Sequence, residues 1–576
     1  MKTTWNNTCV ILKIMLHYLL KTNFRHKLIL CMTLFLVTSA DLRAETKASS
    51  EDEVKTCMRK ATAFMMDKVS INGGFVSSYL SDFSRRWGEL EAYPSMIWID
   101  GPTPAMANVL LDAYLATEDE YYYRQACRVA DALIAAQLPC GGWNYTFDFA
   151  GEESLKQWYA TVGKNAWGVS EYNYYYGNAT FDDQNTYRPA NFFLRIYLLK
   201  KDPRHKEVME RAIDFFLKSQ YPNGGWPQRY PLRYDFPAKD GSPDYSSFIT
   251  LNDGVMEKNI DFMLRCYYLL DDERCLSAAR KGMDCLLSLQ QAPPTAGWAL
   301  QYNLDLQPAK ARDYEPASVC VSTTSGTVML MMEYYRLTGE KKFMQGIPAA
   351  LRFLDEVAFC DSMLQLIERS EEKVGRSSEN GKLCPRMVVP GSSFTPLFLH
   401  RRGSHIVNGD YYIDQNPLNT IAHYSSFCTI NTDVLRSRYE DLLNLPAEEI
   451  SRNSPLLHPE LREPLLQQFL YNKRPEGMRR FLYIDQTRPV QEVLASLNEE
   501  GYWPTPLVLT TNPYIGEGSA DDPVPELYEE TMKHPFNTQF YRSENPPLGI
   551  SVNAYVQHMG VLIQYLLSQK ENSNEK

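Results

Sequence analysis

Carboxylates recur at equivalent places along this chain. Short segments leading into amphipathic helical runs read Trp98-Ile-Asp100-Gly, Phe181-Asp-Asp-Gln184 and Leu251-Asn-Asp-Gly254, with Thr323-Thr-Ser-Gly326 in a fourth. Aspartate and asparagine are common helix N-caps, so capping alone explains any one of them. Brought together on one rim, the same segments would gather Asp182, Asp183 and Asp253 into a set of hard oxygen ligands. The alternative chemistry is an acid–base pair for glycoside hydrolysis, Asp182 or Asp183 with Asp253, which needs no metal. Arg188, Arg229 and Arg233 read on their own as solvated surface charge, although a guanidinium can grip a carboxylate bidentately. Arg312 stands among Lys310, Asp313 and Glu315, where an ion pair would also account for it. Trp226, Tyr230 and Trp298 have flat faces for sugar rings; core packing serves Trp226 equally well and Trp143 better.

A repeat must position these residues. Three turns read Gln137-Leu-Pro-Cys-Gly-Gly-Trp143, Gln220-Tyr-Pro-Asn-Gly-Gly-Trp226 and Gln290-Gln-Ala-Pro-Pro-Thr-Ala-Gly-Trp298, their tryptophans 83 and 72 residues apart. Each follows a helical pattern (Ala126 to Ala136, Val208 to Ser219, Cys275 to Leu289). Each of those follows another (Ala105 to Leu115, Ala190 to Leu199, Val255 to Leu269). A fourth pair starts near Thr324 and runs to Leu354 with a break at Gly339. Repeated helical hairpins must bury their apolar stripes on one another, which predicts an all-α fold. The form expected is an α/α toroid (an incomplete α/α barrel), with an open solenoid as the alternative. The loop after each Gly-Trp turn and the segment leading into each inner helix would then meet at one mouth. The expected organisation is an export segment at 1–44, catalytic toroid repeats at 45–369, an irregular insertion at 370–480 that includes a polar loop at 371–382, and helical hairpins closing the toroid at 481–576.

Composition excludes several classes. With 44% hydrophobic and 22% charged residues in 576, the chain is neither disordered, polytopic nor collagen-like. Arg25-His26-Lys27 followed by the apolar run Leu28 to Val37 and the small residues Ser39 and Ala40 has the layout of a secretory signal. Export to the periplasm or medium is expected, with no stable membrane span once the signal is removed. Without residues 1–44, 53 basic and 69 acidic residues leave a net charge of −16, which argues against nucleic-acid binding. The twelve cysteines include no CxxC pair, so a zinc ribbon is unsupported. A monomer is expected.

Four segments together carry a resemblance: Gly224-Gly-Trp-Pro-Gln-Arg-Tyr-Pro231, Thr180-Phe-Asp182, Thr250-Leu-Asn-Asp253 and Ala311-Arg-Asp-Tyr-Glu315. Over roughly residues 90 to 340 the chain resembles the pectic acid lyases of polysaccharide lyase family 10, and Arg479-Arg-Phe-Leu-Tyr483 resembles a further family segment. The resemblance implies an α/α toroid that cleaves an acidic pectic polysaccharide of the polygalacturonate type by calcium-assisted β-elimination. It places the base on Arg312 and calcium and substrate on Asp182 and Asp253, with Asp183 a third suitable ligand. Where the family shows D-N-D and D-D, this chain has Asp182-Asp183-Gln184 and Asp253-Gly254. Substrate contacts are expected from Arg188, Arg229, Arg233, Tyr230, Trp226, Lys310 and Arg480.

The chemistry is coherent. A uronate C5 proton is weakly acidic, and Ca²⁺ on the adjacent carboxylate would stabilise the enolate-like transition state. Arginine, with a pKa above about 12, can act as base only where the cation and groups such as Lys310 disfavour its protonated form. Hydrolysis and catalytically silent sugar binding are the rival readings. A terpenoid-cyclase reading of the Gln-to-Trp turns fits an exported chain with a charged mouth poorly.

Overall fold

The computed structural model describes residues 50–166, 170–233, 244–368, 381–391, 394–401, 411–419, 425–471, 488–510, 512, 526–528, 540–541 and 543–574. Lys55–Lys576 forms one compact unit, to which the following description belongs. Its frame is an α/α toroid of helical hairpins. The inner helices Pro102–Thr117, Tyr187–Lys200 and Val255–Leu270 pack on the outer helices Glu120–Ala136, Pro203–Ser219 and Glu273–Ser288. Inner helices also pack side by side: Val552–Asn574 on Pro102–Thr117, that helix on Tyr187–Lys200, and that one on Val255–Leu270. A fourth hairpin pairs Val321–Thr338 with Ile347–Glu356. Asp119, Asp202 and Asp272 cap the three outer helices by accepting from Tyr121, Arg204 and Arg274 N–H groups, so each helix starts on a polar turn before its apolar stripe begins.

One short antiparallel ladder closes each hairpin. The strand leading into the inner helix pairs with the strand returning from the turn: Met96–Trp98 with Thr146–Asp148, Ala179–Thr180 with Arg229–Tyr230, Ile249–Thr250 with Gln301–Tyr302. The same rule joins the chain's two ends. Leu548–Ser551, leading into Val552–Asn574, pairs with Ser78–Leu80, which follows the turn Asn72-Gly-Gly-Phe75. The helix ending at Phe64 precedes this turn, and Thr62 Oγ1 on it meets Tyr555 Oη at 2.7 Å.

The turns are tied to the helices by the residues that define them. The indole N–H groups of Trp143, Trp226, Trp298 and Trp503 donate to the carbonyls of Leu133, Phe216, Leu286 and Val493. Nε2 of Gln137, Gln220 and Gln290 donates within its own turn and also across to Val208, Ala278 and Gly346 carbonyls of the neighbouring hairpin. The first glycine of the pair lets the turn lie against that neighbour. Gly224 takes φ +92°, and a Cβ there would stand 2.1 Å from the Lys281 carbonyl oxygen.

The fold departs from expectation between 370 and 480. Met387–Val388 pairs with Val319–Cys320, so the fourth hairpin's ladder runs past 370 before the repeat ends. Pro396–Arg401 and Tyr411–Asp414 then extend this ladder into a five-stranded antiparallel sheet, where only irregular structure was expected. Helix Thr432–Asn444 packs on the fourth hairpin. The polar loop expected at 371–382 and the export segment fall, in the first case largely and in the second wholly, outside the described residues. The ten cysteines between Cys57 and Cys428 are free thiols, and among the described residues no helix is long and apolar enough to cross a membrane.

Two outcomes test this frame. Gly224→Ala should destabilise by about 2 kcal/mol or more, through strain and the carbonyl clash. Gly326→Ala, on a helix with open space around the added methyl, should hold or raise the unfolding midpoint. Comparing the two midpoints by circular dichroism checks the turn geometry. His558, on the last inner helix, lies 4.7 Å from the Trp503 ring, and burial followed by Arg488 pushes its pKa down to about 4. The unfolded chain takes up that proton near pH 6.5 and the folded one does not, so stability is lost as pH falls from about 6.5 towards 4. In urea titrations His558→Gln should flatten this loss; an unchanged slope would contradict it.

Candidate active site at the toroid mouth

Two of the helix-leading segments wind the same tight turn. In Asp182–Gln184 and Asn252–Gly254 the middle residues, Asp183 (φ 48°) and Asp253 (φ 51°), are left-handed, a conformation that aspartate tolerates better than most. Backbone bonds fix the equivalences. Ile99 and Asp100 N–H groups donate to the Tyr145 carbonyl, Phe181 to Gln228, and Leu251 and Asn252 to Leu300. Asp100, Asp182 and Asn252 are therefore one position in three repeats, and Asp183 matches Asp253. None caps its helix through its side chain. Asp100 instead pairs with Arg188 at 2.8 Å. Asp182 is fully buried and accepts at Oδ2 from the Tyr145 hydroxyl (2.6 Å) and from Arg312 Nη1 (3.5 Å).

Arg312 sits in a web of three carboxylates. Glu315 grips its Nε and Nη2 at 2.8 and 2.9 Å, and Gln301 Nε2 fixes Glu315 in turn at 3.0 Å. Nη1 reaches Glu171 Oε2 at 3.2 Å, where the Tyr314 hydroxyl also donates. Burial alone would favour a neutral guanidine, but Glu315, Tyr314, Asp182 and Glu171 outweigh it, so Arg312 holds its proton more firmly than usual. Asp182 is a buried carboxyl that Arg312 and Tyr145 keep below its usual range. Asp183 and Asp253 go the other way: burial, then their acidic neighbours, push both well up. The same causes raise Glu89, and burial raises Glu171 despite Arg312. The mouth thus holds more carboxylates than it can keep charged unaided.

These groups surround a cleft of about 160 Å³ lined by Glu89, Glu171, Asp183, Asp253, Arg312 and Arg386. Glu171, Asp182 and Asp183 each offer an oxygen within 4.8 Å of the others'. Asp182 Oδ1 is buried without a hydrogen-bond partner. An all-carboxylate set with an orphaned oxygen suits a hard divalent cation such as calcium.

Other expected contacts are placed differently. Trp226 is 0% exposed with its indole bonded to Phe216, so it is a core residue and cannot stack on a sugar. Arg229, 1% exposed, is held behind the mouth by Asn144 and Asn178 and cannot reach a substrate carboxylate. Arg233 donates to the Tyr176 carbonyl at 2.6 Å, and the half-buried Tyr230 packs its ring edge-on against Phe215. Lys310 lies 3.9 Å from Asp313. Arg188 stays partly exposed in its pair with Asp100. Arg480 lies outside the described residues. Asp253 lines the cleft but is not in the three-carboxylate group, whose third member is Glu171. Glu171, Glu89, Tyr145 and Arg386 were missed because they lie outside the repeated helix-leading segments. Tyr145 was legible only as the residue two beyond the Trp143 of its turn.

Residues 148–388 match the family model described as pectic acid lyase. Among curated proteins none matches the sequence. A family 10 polysaccharide lyase from Cellvibrio cellulosa shares 20% identity over 50% of this chain and 82% of its own, with a TM-score of 0.33. A mutant of that lyase in complex with trigalacturonic acid gives 18%, 60%, 98% and 0.37. An α-1,6-mannanase from Salegentibacter sp. HEL1_6 gives 12%, 90%, 99% and 0.33.

Trp226→Phe checks the reassignment of that tryptophan. Loss of the indole bond and a small cavity should cost about 1–3 kcal/mol, seen as a lower thermal midpoint with KM for an acidic polysaccharide unchanged. A raised KM at unchanged stability would return Trp226 to the substrate. Over residues 148–388, then, the chain resembles the pectic acid lyases, a likeness to polysaccharide lyases.

Proposed function

We propose that this protein cleaves polygalacturonate-type pectic polysaccharide by calcium-assisted β-elimination, with Arg312 as the residue that takes the C5 proton. The observation carrying the reading is the meeting of Arg312 and Glu171, which line the cleft, with the buried Asp182 behind them. Asp182 and Asp183 with Glu171 would hold the calcium, and Asp253 would face the bound substrate from the opposing turn. When bound, calcium supplies positive charge that offsets these carboxylates and acidifies the C5 proton of a uronate whose carboxylate it meets.

The protein's own groups divide the remaining work. Glu315 occupies Nε and Nη2 of Arg312 and fixes its plane, leaving Nη1 among the groups whose charge can change. Nη1 can accept the C5 proton only when Arg312 is a neutral guanidine, and its ion pairs oppose that state while Glu171 and Asp182 carry full charge. Lys310, at Asp313, is not needed for this. Arg386 lines the same cleft and offers paired donors to a uronate carboxylate. The basic-then-apolar segment 25–37 supports export, to the periplasm or medium.

The test is ultraviolet absorbance of the unsaturated uronate released from polygalacturonate. Calcium should raise the rate, a chelator should abolish it, and Arg312→Ala should cost at least about a hundredfold in kcat at saturating calcium. Undiminished rates in chelator would remove the metal from the account. New reducing ends without absorbance would transfer the chemistry to hydrolysis by Asp182 or Asp183 with Asp253.

A further inference from the structure

Arg229 presents a buried cation with an unusual setting. It is 1% exposed, and among the described residues no carboxylate stands within ion-pair distance of it. Nη1 meets Asn144 Oδ1 at 3.2 Å and Asn178 Oδ1 at 3.3 Å, while Nε and Nη2 have no hydrogen-bond partner. Burying an unpaired charge is costly, so its place needs a reason. The guanidinium faces two phenol rings, Tyr176 at 4.4 Å and Tyr145 at 5.1 Å.

Tyr145 leads from this cation to the mouth. Its carbonyl receives Ile99 and Asp100 of its own repeat, so it occupies the place held by Gln228 and Leu300 in the next two. Its side chain reaches across the repeat boundary and donates to Asp182 Oδ2 at 2.6 Å. Arg312 Nη1 shares that oxygen at 3.5 Å. Both bonds therefore fall on Oδ2, and Oδ1 is the oxygen left over, buried and unpartnered, on a residue that stands together with Glu171 and Asp183. We infer that Tyr145, backed by Arg229, is a positioning residue that turns Asp182 Oδ1 toward the cation site. The assignment rests on the calcium reading above. Arg229 acts through Tyr145: a cation against the ring draws electron density from the phenol and strengthens its hydroxyl as a donor, while fixing the ring's place. Neither side chain touches the substrate.

Calcium titration of the full chain by calorimetry, without substrate, tests this. The wild type should bind and Asp182→Asn should not. Tyr145→Phe should bind about tenfold or more weakly, as outer-layer partners of metal ligands generally do, with its circular dichroism unchanged. Arg229→Met should weaken binding as well, and Arg229→Lys should recover part of the loss. The double variant Tyr145→Phe/Arg229→Met should be no weaker than Tyr145→Phe alone, since the arginine acts through the tyrosine. Wild-type affinity in Tyr145→Phe, with binding lost in Asp182→Asn, would overturn the positioning role and leave the calcium site standing. Additive losses in the double variant would overturn the link to Arg229. No calcium binding by the wild type would overturn both readings.

Discussion

The fully buried carboxylate of Asp182 spends one oxygen on Tyr145 and Arg312 and keeps the other unpartnered. A buried carboxylate in that state is expensive unless something completes it, and the elements around it are arranged to hold it so. Its turn is fixed by backbone bonds to the strand that returns from the next Gly-Trp turn. Arg312 is clamped by Glu315, which Gln301 on a third repeat's return strand clamps in its turn. One oxygen's environment therefore draws on three successive hairpins, which explains why the ladder and the Gln-to-Trp staples repeat so closely.

The electrostatics of the mouth follow from the same crowding. Glu89, Asp183 and Asp253 are pushed up by burial and by acidic neighbours, Asp182 among them, whereas Asp182 itself is a buried carboxyl kept low by Arg312. Such a cluster would repel a polyanionic chain, as would the −16 expected of residues 45–576. The divalent cation proposed for the mouth would relieve both problems. It would offset the protein's carboxylates and give the proposed substrate's carboxylates a reason to approach. On this account acidic substrate and acidic site are compatible because they share a counterion.

The repeat was legible because it is written in residues with single jobs. Glycine pairs allow the close approach, tryptophan anchors the turn, and glutamine ties neighbouring hairpins. Asn72-Gly-Gly-Phe75 carries the same signal with phenylalanine in the tryptophan's place, and substitution of the anchor hid the hairpin that joins the chain's ends. The first two outer helices begin more than a turn before the expected Ala126 and Val208, and the third two residues before Cys275, because the turns after Asp119, Asp202 and Asp272 carry no clear apolar period. The strands from 382 to 414 are short and broken by Pro385, Pro390 and Gly391, too brief for alternation to show. At the site, Asp182, Asp183, Asp253 and Arg312 could be named because they sit in recurring or recognisable segments. Glu171 and Tyr145 could not be given roles, because their importance comes from contacts across repeats. For Arg229 the residue type suggested a surface cation, and only burial could show otherwise.

Whether the mouth eliminates or hydrolyses is decided most directly by the mass of its products. Mass spectrometry of oligomers cut from polygalacturonate should show, for every cleavage, one fragment lighter by one water than its saturated counterpart. Products consisting only of saturated oligomers would mean that water attacks the glycosidic bond, and would contradict the account of Arg312 as the group that takes the C5 proton.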